Sequence, residues 1–248
     1  MGDIRINRVK KSLSEGKATM VLGGLQTPET IDFLGQFGFD GMWIDTEHSP
    51  NDFDMVAQMC RACNLWDVAP FVRVSANQHW IINRTFDVGA VGVIVPHSNT
   101  VEDVKAAVNA AKYWPKGQRG SSSTRHSFGV DKDYYNKANE QTMVVALIEE
   151  YRAIKNLKEL TKVEGVDVFL IGPGDLSHTM GLPGQGSHPK VQAAVDEAID
   201  IIVSSGKVAG ATGASGSIAD LYKKGVRFFF PNWQPWLGQK AKEYMAEF

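Results

Sequence analysis

Residues 143–177, MVVALIEEYRAIKNLKELTKVEGVDVFLIGPGDLS, hold the pattern that decides the fold. Two nearly continuous apolar runs, Met143–Glu149 and Val166–Gly172, flank the segment Ala153–Thr161, whose apolar residues recur with the period of a helix. Apolar runs of this kind are typical of parallel strands that are covered on both faces. The stretch therefore predicts a strand, a helix and a second strand parallel to the first.

The same alternation extends along the whole chain. Six further apolar runs predict strands at Thr19–Leu25, Gly41–Asp45, Pro70–Val74, Gly92–Val95, Lys207–Ala211 and Arg227–Phe230. Further helices are predicted at Pro28–Phe37, Asp52–Asn64, His79–Val88, Val101–Tyr113, Pro189–Ser205 and Ser217–Lys224. Eight strands that alternate with helices predict a (β/α)8 TIM barrel, with residues 1–248 as one domain. A doubly wound open sheet is the alternative, because a sequence does not reveal closure.

The composition excludes several classes of protein. The 248 residues carry 26 Lys and Arg against 28 Asp and Glu, so we expect no basic surface for nucleic acid or an anionic membrane. The first twenty residues lack the apolar stretch of a secretory signal, and no run is long enough to span a bilayer. Cys60 and Cys63 make no disulfide framework, which predicts a cytoplasmic protein. Their C-x-x-C spacing lies within a predicted helix and is interpreted as packing.

Chemistry in a barrel enzyme is expected at the carboxyl ends of the strands. The second predicted strand ends in Asp45 and leads into Thr46-Glu47-His48. A carboxylate and an imidazole so close together predict a pair in which Asp45 orients the His48 ring and raises its basicity. A capping Asp beside a solvated His is the alternative interpretation.

Arg73 lies within the apolar third strand, PFVRV at residues 70–74. A guanidinium in that position needs an anionic partner, because burying it unpaired is strongly unfavourable. The partner is either a substrate carboxylate or oxyanion, bound through two hydrogen bonds, or an acid of a neighbouring strand.

Two carboxylates follow neighbouring predicted strands. Glu149 ends the fifth strand, and Asp175 comes just after the sixth, so a barrel brings them to one rim. Two carboxylates with water and substrate in the remaining positions suit Mg²⁺ or Mn²⁺ better than Zn²⁺, which prefers His and Cys. The glycines of Gly172-Pro173-Gly174 allow backbone N–H groups to approach an anion. Capping a helix is the alternative role of Asp175.

Other features of the chain are less specific. The glycine-rich run Gly210–Ser217 follows the seventh strand, where barrels often bind phosphate. His97 follows the fourth strand and is expected at most to support the site. The irregular stretch Trp114–Asn139 is expected over the carboxyl ends of the strands. Lys207 opens the seventh predicted strand at the opposite rim, and no lysine lies in the interior of a predicted strand or at its carboxyl end, which disfavours a Schiff-base mechanism.

Together these segments resemble the class II, metal-dependent pyruvate aldolases typified by 4-hydroxy-2-oxoheptanedioate aldolase. The resemblance extends in order from about Thr19 to Gly225. Its segments are Gly38–His48, Phe71–Arg73, Asp87–Ala90, Val95-Pro96, Ile148-Glu149, Ala153–Asn156, Val163–Asp167, Ile171–Ser177 and His188–Ala194. It implies a TIM barrel of the phosphoenolpyruvate/pyruvate-binding type.

The resemblance also implies an activity, that of a lyase that cleaves a 4-hydroxy-2-oxo acid to pyruvate and an aldehyde through an enolate beside a divalent cation. Glu149 and Asp175 resemble the metal carboxylates, with Mg²⁺ or Mn²⁺ expected and Co²⁺ or Zn²⁺ as alternatives. Arg73 resembles the arginine that contacts the pyruvate carbonyl and stabilises the enolate. His48, paired with Asp45, resembles a base that acts through a water on the metal.

Further residues acquire roles through the same resemblance. The backbone at Gly174 and Asp175 resembles the site that holds the pyruvate carboxylate. Glu47 and Asp87 resemble acids that order water near the site, with Asp87 supplied by an adjacent subunit. Members of the family are typically hexamers built as trimers of dimers, so a homo-oligomer is expected.

The sequence departs from the family pattern at four places. Many relatives have Gln-Ile-Glu followed by Thr-Arg where this chain has Leu147–Tyr151, Ala is usual at Gly174, and Gly-x-Asp is frequent at Phe230–Trp233. The loop Gly210–Ser217 is also unusually rich in glycine and serine. These departures indicate an altered pocket for the aldehyde. Two other interpretations stay open, a decarboxylase of the oxaloacetate type on the same site and a non-catalytic barrel that binds small carboxylates.

Overall fold

Eight parallel strands form the centre of the molecule. They are β1 Thr19–Leu25, β2 Gly41–Asp45, β3 Ala69–Arg73, β4 Gly92–Val95, β5 Met143–Ile148, β6 Val168–Ile171, β7 Ala209–Thr212 and β8 Phe228–Phe230. The computed structural model describes residues 2–130, 133–213 and 216–247, and its strands pair in chain order. Because β8 also pairs in parallel with β1, the sheet closes into a barrel. The predicted TIM barrel is confirmed, and the open sheet is excluded.

One helix precedes β1, and at least one helix follows each of the eight strands. The helices are α1 Arg8–Ser14, α2 Pro28–Gly35, α3 Phe53–Leu65, α4 His79–Asp87, α5 Val101–Ala111, α6 Tyr134–Gln141, α7 Tyr151–Leu160, α8 Pro173–Thr179, α9 Pro189–Ser204, α10 Ile218–Lys223 and α11 Gln234–Met245. Their starts follow local chemistry. The Thr27 side chain accepts a hydrogen bond from Thr30 N–H just before Pro28 at the first helical position of α2.

Alternate residues of each strand face two different cores. In β6, Val168 and Leu170 point into the barrel, whereas Phe169 and Ile171 pack outward against the helices. Successive side chains of a strand point to opposite faces, so both faces are apolar here because both are covered. Val9 of α1 belongs to the inner core, and α1 therefore contributes to the packing of the barrel interior. The carboxyl end is left for the ionisable residues.

Four helices of the structure lie outside the predicted set: α1, α6, α8 and α11. The described part of the stretch Trp114–Asn139 also differs from its prediction, because it contains the start of α6 and contacts α4 through Arg119 and Gly120. Gly120 N–H donates to Asn83 Oδ1 of α4 at 2.8 Å, and Gly2 N–H donates to Gly129 O at 2.9 Å. A segment that leads from a helix into a strand arrives at the amino end of that strand. The predicted position over the carboxyl ends is therefore wrong.

The two cysteines lie on one buried side of α3. Both are free thiols with no exposed surface. Burial raises the pKa of the Cys60 thiol to about 12, which leaves it protonated at neutral pH. This environment supports packing as the role of the C-x-x-C segment. Among the described residues, no helix is both long and apolar enough to cross a membrane.

Candidate active site

Strand alternation turns the ionisable side chains toward the barrel axis. Phe71 and Trp43 belong to the inner core, so Arg73 and Asp45, two residues further along the same strands, lie on the same inward face. The register of β2 and β3 places Asp45 directly beside Arg73. The last residues of these strands therefore converge at the carboxyl end of the barrel.

A cavity of about 610 Å³ opens at this end. Arg73, Glu149, Gly174 and Asp175 all line it, as the sequence predicts for a shared site. The other lining residues are Trp43, Leu147, Gly172, Pro173, Thr212, Gly213, Phe230, Pro231, Asn232, Pro235 and Trp236. Its volume is within the usual range for a small-molecule site.

Arg73 is held by two acids. Its Nε and Nη2 donate to the two carboxylate oxygens of Asp45 at 2.9 and 2.7 Å, and its Nη1 lies 3.1 Å from Glu47 Oε2. Burial works against the charge of Asp45, but the hydrogen bonds and charge of Arg73 outweigh it and keep the pKa of Asp45 below its usual value. Acids on and just after the neighbouring strand β2 are therefore partners of Arg73. Arg73 also lines the cavity, and its contact with a substrate remains a prediction.

The predicted pairing of Asp45 with His48 is corrected by this geometry. The Asp45 carboxylate bonds Arg73 across the strands, because parallel register brings those two side chains together. The His48 ring is 66% exposed, and its Nε2 lies 3.8 Å from Glu47 Oε2. His48 therefore stands at the edge of the site with Glu47 as its nearest described acid, and its role as a base remains a prediction.

Glu149 is the most buried acid of the site, with 3% of its side chain exposed. His97 backbone N–H donates to its Oε1 at 2.9 Å. Burial raises the pKa of Glu149 to about 7, and the charges of Glu47 and Asp175 push in the same direction against the stabilising hydrogen bond of His97. A Cβ on Gly172 would lie 3.2 Å from Glu149 Cβ, so the glycine leaves room beside this carboxylate.

The donor set fits a divalent cation. Glu47, His97 and Glu149 each offer a ligand atom, and these atoms lie within 4.8 Å of one another. Glu47 Oε2 is buried and, among the described residues, has no hydrogen-bond partner although Arg73 lies near it. The negative charges of the Glu47 and Glu149 carboxylates repel each other, and a hard divalent cation bound between them would offset this repulsion. The predicted pair of Glu149 and Asp175 overlaps this set at Glu149, and Asp175 lines the same cavity.

The sequence predicts His97 only as a supporting residue. In the structure its ring nitrogens lie within 4 Å of Glu47, Glu149 and Glu150. Its backbone has φ of +52°, unusual for a residue with a side chain. Its Nδ1 lies 2.9 Å from Glu150 Oε1, and hydrogen bonding and charge from nearby acids raise its pKa despite partial burial. Pro96-His97 directly follows the carboxyl end of β4. A polar residue at that point of the chain is the sequence feature that indicates a position at the site.

Two other predicted positions are Asp87 and the run Gly210–Ser217. Asp87 lies apart from the cavity, and part of the run lies outside the described residues. Asp87 ends α4 on the outer layer, where Arg119 Nη2 donates to it at 2.9 Å and Asn83 Nδ2 donates at 3.1 Å. Its role in an adjacent subunit remains a prediction. In the run Gly210–Ser217, Ala214 and Ser215 lie outside the described residues, so the phosphate hypothesis is also still a prediction.

A closed parallel barrel with ionisable side chains gathered in one cavity at its carboxyl end defines the chain as a TIM-barrel enzyme. It belongs to the HpcH/HpaI aldolase/citrate lyase family, whose sequence profile matches residues 19–221. The family predicted from the sequence, and with it an enzyme of the aldolase type, is confirmed.

Similar proteins agree with this assignment. A hydroxypyruvate/pyruvate aldolase from Roseobacter denitrificans is 36% identical over 228 residues, which cover 90% of this chain and 89% of that protein. A 4-hydroxy-2-oxo-heptane-1,7-dioate aldolase from Escherichia coli is 38% identical over 220 residues, which cover 87% of this chain and 84% of that protein. The crystal structure of an HpcH/HpaI aldolase/citrate lyase family protein from Burkholderia cenocepacia is similar at a TM-score of 0.89 and 27% identity, over 97% of this chain and 98% of that one.

Proposed function

We propose that this chain is a divalent-metal-dependent aldolase that cleaves a 4-hydroxy-2-oxo acid to pyruvate and an aldehyde. The observation that carries the proposal is the single cavity lined by Arg73, Glu149 and Asp175. A guanidinium and two carboxylates there are the groups needed to hold a 2-oxo acid and a cation together. The names of relatives at 36% and 38% identity support the same reaction class.

Glu149 and Asp175 hold the cation in this proposal, with Glu47 and His97 close enough to Glu149 to complete or support the set. The ion is Mg²⁺ or Mn²⁺, with Co²⁺ or Zn²⁺ as alternatives, because carboxylate oxygens dominate the donors. When bound, the ion supplies Lewis-acid stabilisation of the negative charge on the 2-oxo group.

Arg73 stabilises the developing enolate. The C3–C4 bond of the substrate breaks as its 4-hydroxyl loses a proton, and the bonding electrons move into the 2-oxo group to form the enolate of pyruvate. Arg73 keeps its charge because its pKa is raised by Asp45, Glu47 and Glu149, although burial opposes this. A fixed positive charge at the forming oxyanion is often the largest single contribution to catalysis.

His48 takes the proton of the 4-hydroxyl, and Glu47 beside it orders the water through which the proton moves. The exposed position of the ring allows proton exchange with solvent, and an imidazole suits proton transfer near neutral pH. The backbone at Gly174 and Asp175 holds the pyruvate carboxylate at the first turn of α8, where helix N–H groups have no partner within the helix.

The remaining parts of the proposal concern organisation. Residues 1–248 act as one barrel domain in a cytoplasmic homo-oligomer. A hexamer built as a trimer of dimers, with Asp87 directed toward a neighbour, is the assembly we propose. Sedimentation equilibrium tests it, since a monomer at micromolar concentration would contradict it.

The test of the function is product analysis with a 4-hydroxy-2-oxo acid after chelation and metal readdition. Wild-type protein should yield pyruvate and aldehyde in equal amounts, while Glu149→Ala and Asp175→Ala should lose turnover. Glu159→Ala, which removes an exposed acid of α7, is the matched control and should keep it. Pyruvate from oxaloacetate without aldehyde chemistry would instead establish a decarboxylase. Ligand-dependent thermal stabilisation without turnover would establish a binding protein.

A further inference from the structure

Part of the cavity wall comes from β2, β7 and β8 and from the segment after β8, and β8 and β2 flank β1 across the closed barrel from β5, which Glu149 follows. This part combines Trp43, Phe230 and Trp236 with the neutral polar residues Thr212 and Asn232. Trp43 and Phe230 stack with ring centroids 4.3 Å apart at 20°, and both rings belong to the inner core. Phe230 and Asn232 of this aromatic wall lie in the segment Phe230–Trp233, where the sequence departs from the family pattern.

The loop after β8, which carries part of the aromatic wall, is hydrogen-bonded to β1. Gly23 N–H of β1 donates to Pro231 O at 2.8 Å, and Trp233 Nε1 donates to Gly24 O at 2.9 Å. The loop after β8, which carries Asn232, is therefore tied to β1 by backbone oxygens on both sides. A surface held in this way selects among ligands by its own chemistry rather than by rearrangement.

The charges in the cavity are distributed unevenly. Among the described residues that line it, Arg73 is the one cation. Its Cζ lies 5.4 Å from the centroid of the Trp43 ring, but its three nitrogens already face the carboxylates of Asp45 and Glu47. The rings of His48 and His97 each lie 3.8 Å from a carboxylate oxygen of Glu47. An acceptor with a terminal carboxylate would therefore bring its charge against aromatic rings whose one neighbouring cation is already paired with two acids, which is unfavourable.

We infer that the aromatic wall binds the aldehyde partner and selects uncharged aldehydes over those that end in a carboxylate. The inference rests on the proposed aldolase function. In the synthetic direction the C3 methylene carbon of the pyruvate enolate forms a bond to the aldehyde carbon with the electrons of the enolate C=C bond, and the 2-oxo group re-forms. The carbonyl π electrons move to the aldehyde oxygen, which takes the proton that His48 carries in the proposed function, and nothing is oxidised or reduced. The aromatic wall acts on this step through the substituent of the aldehyde.

The test compares two aldehydes of matched shape in the aldol addition to pyruvate. Succinic semialdehyde ends in a carboxylate, and 4-methylpentanal carries an isopropyl group in its place. We expect kcat/KM to favour 4-methylpentanal by at least about tenfold, since even partial burial of an unpaired charge reaches that ratio. Equal values, or a preference for succinic semialdehyde, would overturn the inference.

A pair of variants links the preference to the aromatic wall. Asn232→Arg adds a cation and should move the ratio toward succinic semialdehyde by about tenfold or more. Asn232→Gln keeps a neutral amide and should leave the ratio within about twofold of the wild type. An unchanged ratio in Asn232→Arg would contradict the inference.

Deuterium exchange of the pyruvate methyl group separates this inference from the function on which it rests. Exchange needs no aldehyde, so it reports enolate chemistry alone. Exchange together with a preference for succinic semialdehyde would refute only the acceptor assignment. The absence of exchange with every metal, together with no addition product from either aldehyde, would refute the proposed function itself.

Discussion

Replacing Arg73 with lysine separates the charge of this side chain from its shape. An ammonium group in the Arg73→Lys variant would keep the positive charge but not the fork that donates to both oxygens of Asp45 at 2.9 and 2.7 Å. The planar guanidinium also lies 3.1 Å from Glu47 through a third nitrogen, which an ammonium cannot match at the same time. Arg73→Lys should therefore weaken the ion-pair network without leaving the acids uncompensated.

The magnitude follows from the bonds that are lost. A hydrogen bond to a charged group contributes about 1.5–3 kcal/mol, and a lysine can replace one of the two bonds to Asp45. We expect the free energy of unfolding to fall by about 2 kcal/mol, because the side chains are only 14% and 17% exposed and solvent screening is limited. Pyruvate exchange should slow by about a hundredfold, as when one oxyanion donor is removed.

Urea unfolding of chelated protein measures the stability change without a contribution from bound metal. Arg61→Lys is the matched control, because that arginine is exposed on α3, and its stability should change by less than about 0.5 kcal/mol. Introducing Asp45→Asn into the wild type and into Arg73→Lys gives the coupling energy between residues 45 and 73, which we expect to be at least about 1 kcal/mol. Coupling near zero together with a wild-type exchange rate in Arg73→Lys would refute the reasoning.

Three further predictions follow from local geometry. A Cβ at Gly174 has no heavy atom within 4 Å, so Gly174→Ala should raise the free energy of unfolding by up to about 1 kcal/mol in urea; a loss of stability would contradict this. A Cβ at Gly23 would lie 1.7 Å from Trp43 Nε1, so Gly23→Ala should cost about 1–3 kcal/mol in the same assay and change the tryptophan fluorescence; stability equal to that of Gly174→Ala would disprove the clash. Burial lowers the pKa of Lys112 from 10.5 to about 7. The folded protein then binds fewer protons than the unfolded chain between those pH values, and stability should rise with pH across that window. Lys112→Met should remove the rise, and an unchanged pH slope in this variant would count against the assignment.

The strands are the part of the fold that the sequence predicts best. Thr19–Leu25, Gly41–Asp45 and Gly92–Val95 have the predicted bounds, because a strand covered on both faces is an unbroken apolar run that ends at polar or turn residues. Helix α11 has no buried residue in the chain described, so it lacks the apolar periodicity that makes a helix predictable. Helix α8 begins with Pro173 directly after β6, where a proline between two glycines is as typical of a turn as of a helix start.

The candidate site is predictable as a set of residues but not as a set of contacts. Arg73, Glu149, Gly174 and Asp175 share one cavity because strand ends of a barrel meet at one rim. Which of these side chains form ion pairs or hydrogen bonds depends on the register between neighbouring strands. Spacing along the sequence does not give that register. For this reason the sequence pairs Asp45 with its neighbour His48, whereas the structure pairs it with Arg73.

The proposed function requires this cavity to form the enolate of pyruvate with the help of a divalent ion. Hydrogen–deuterium exchange of the pyruvate methyl group, followed by NMR with chelator and then with added Mg²⁺ or low Mn²⁺, tests it most directly. We predict exchange that requires the ion, disappears in Arg73→Ala and persists in Arg61→Ala, which alters an exposed arginine of α3. Exchange at the same rate in chelator, or no exchange with any ion, would contradict this function.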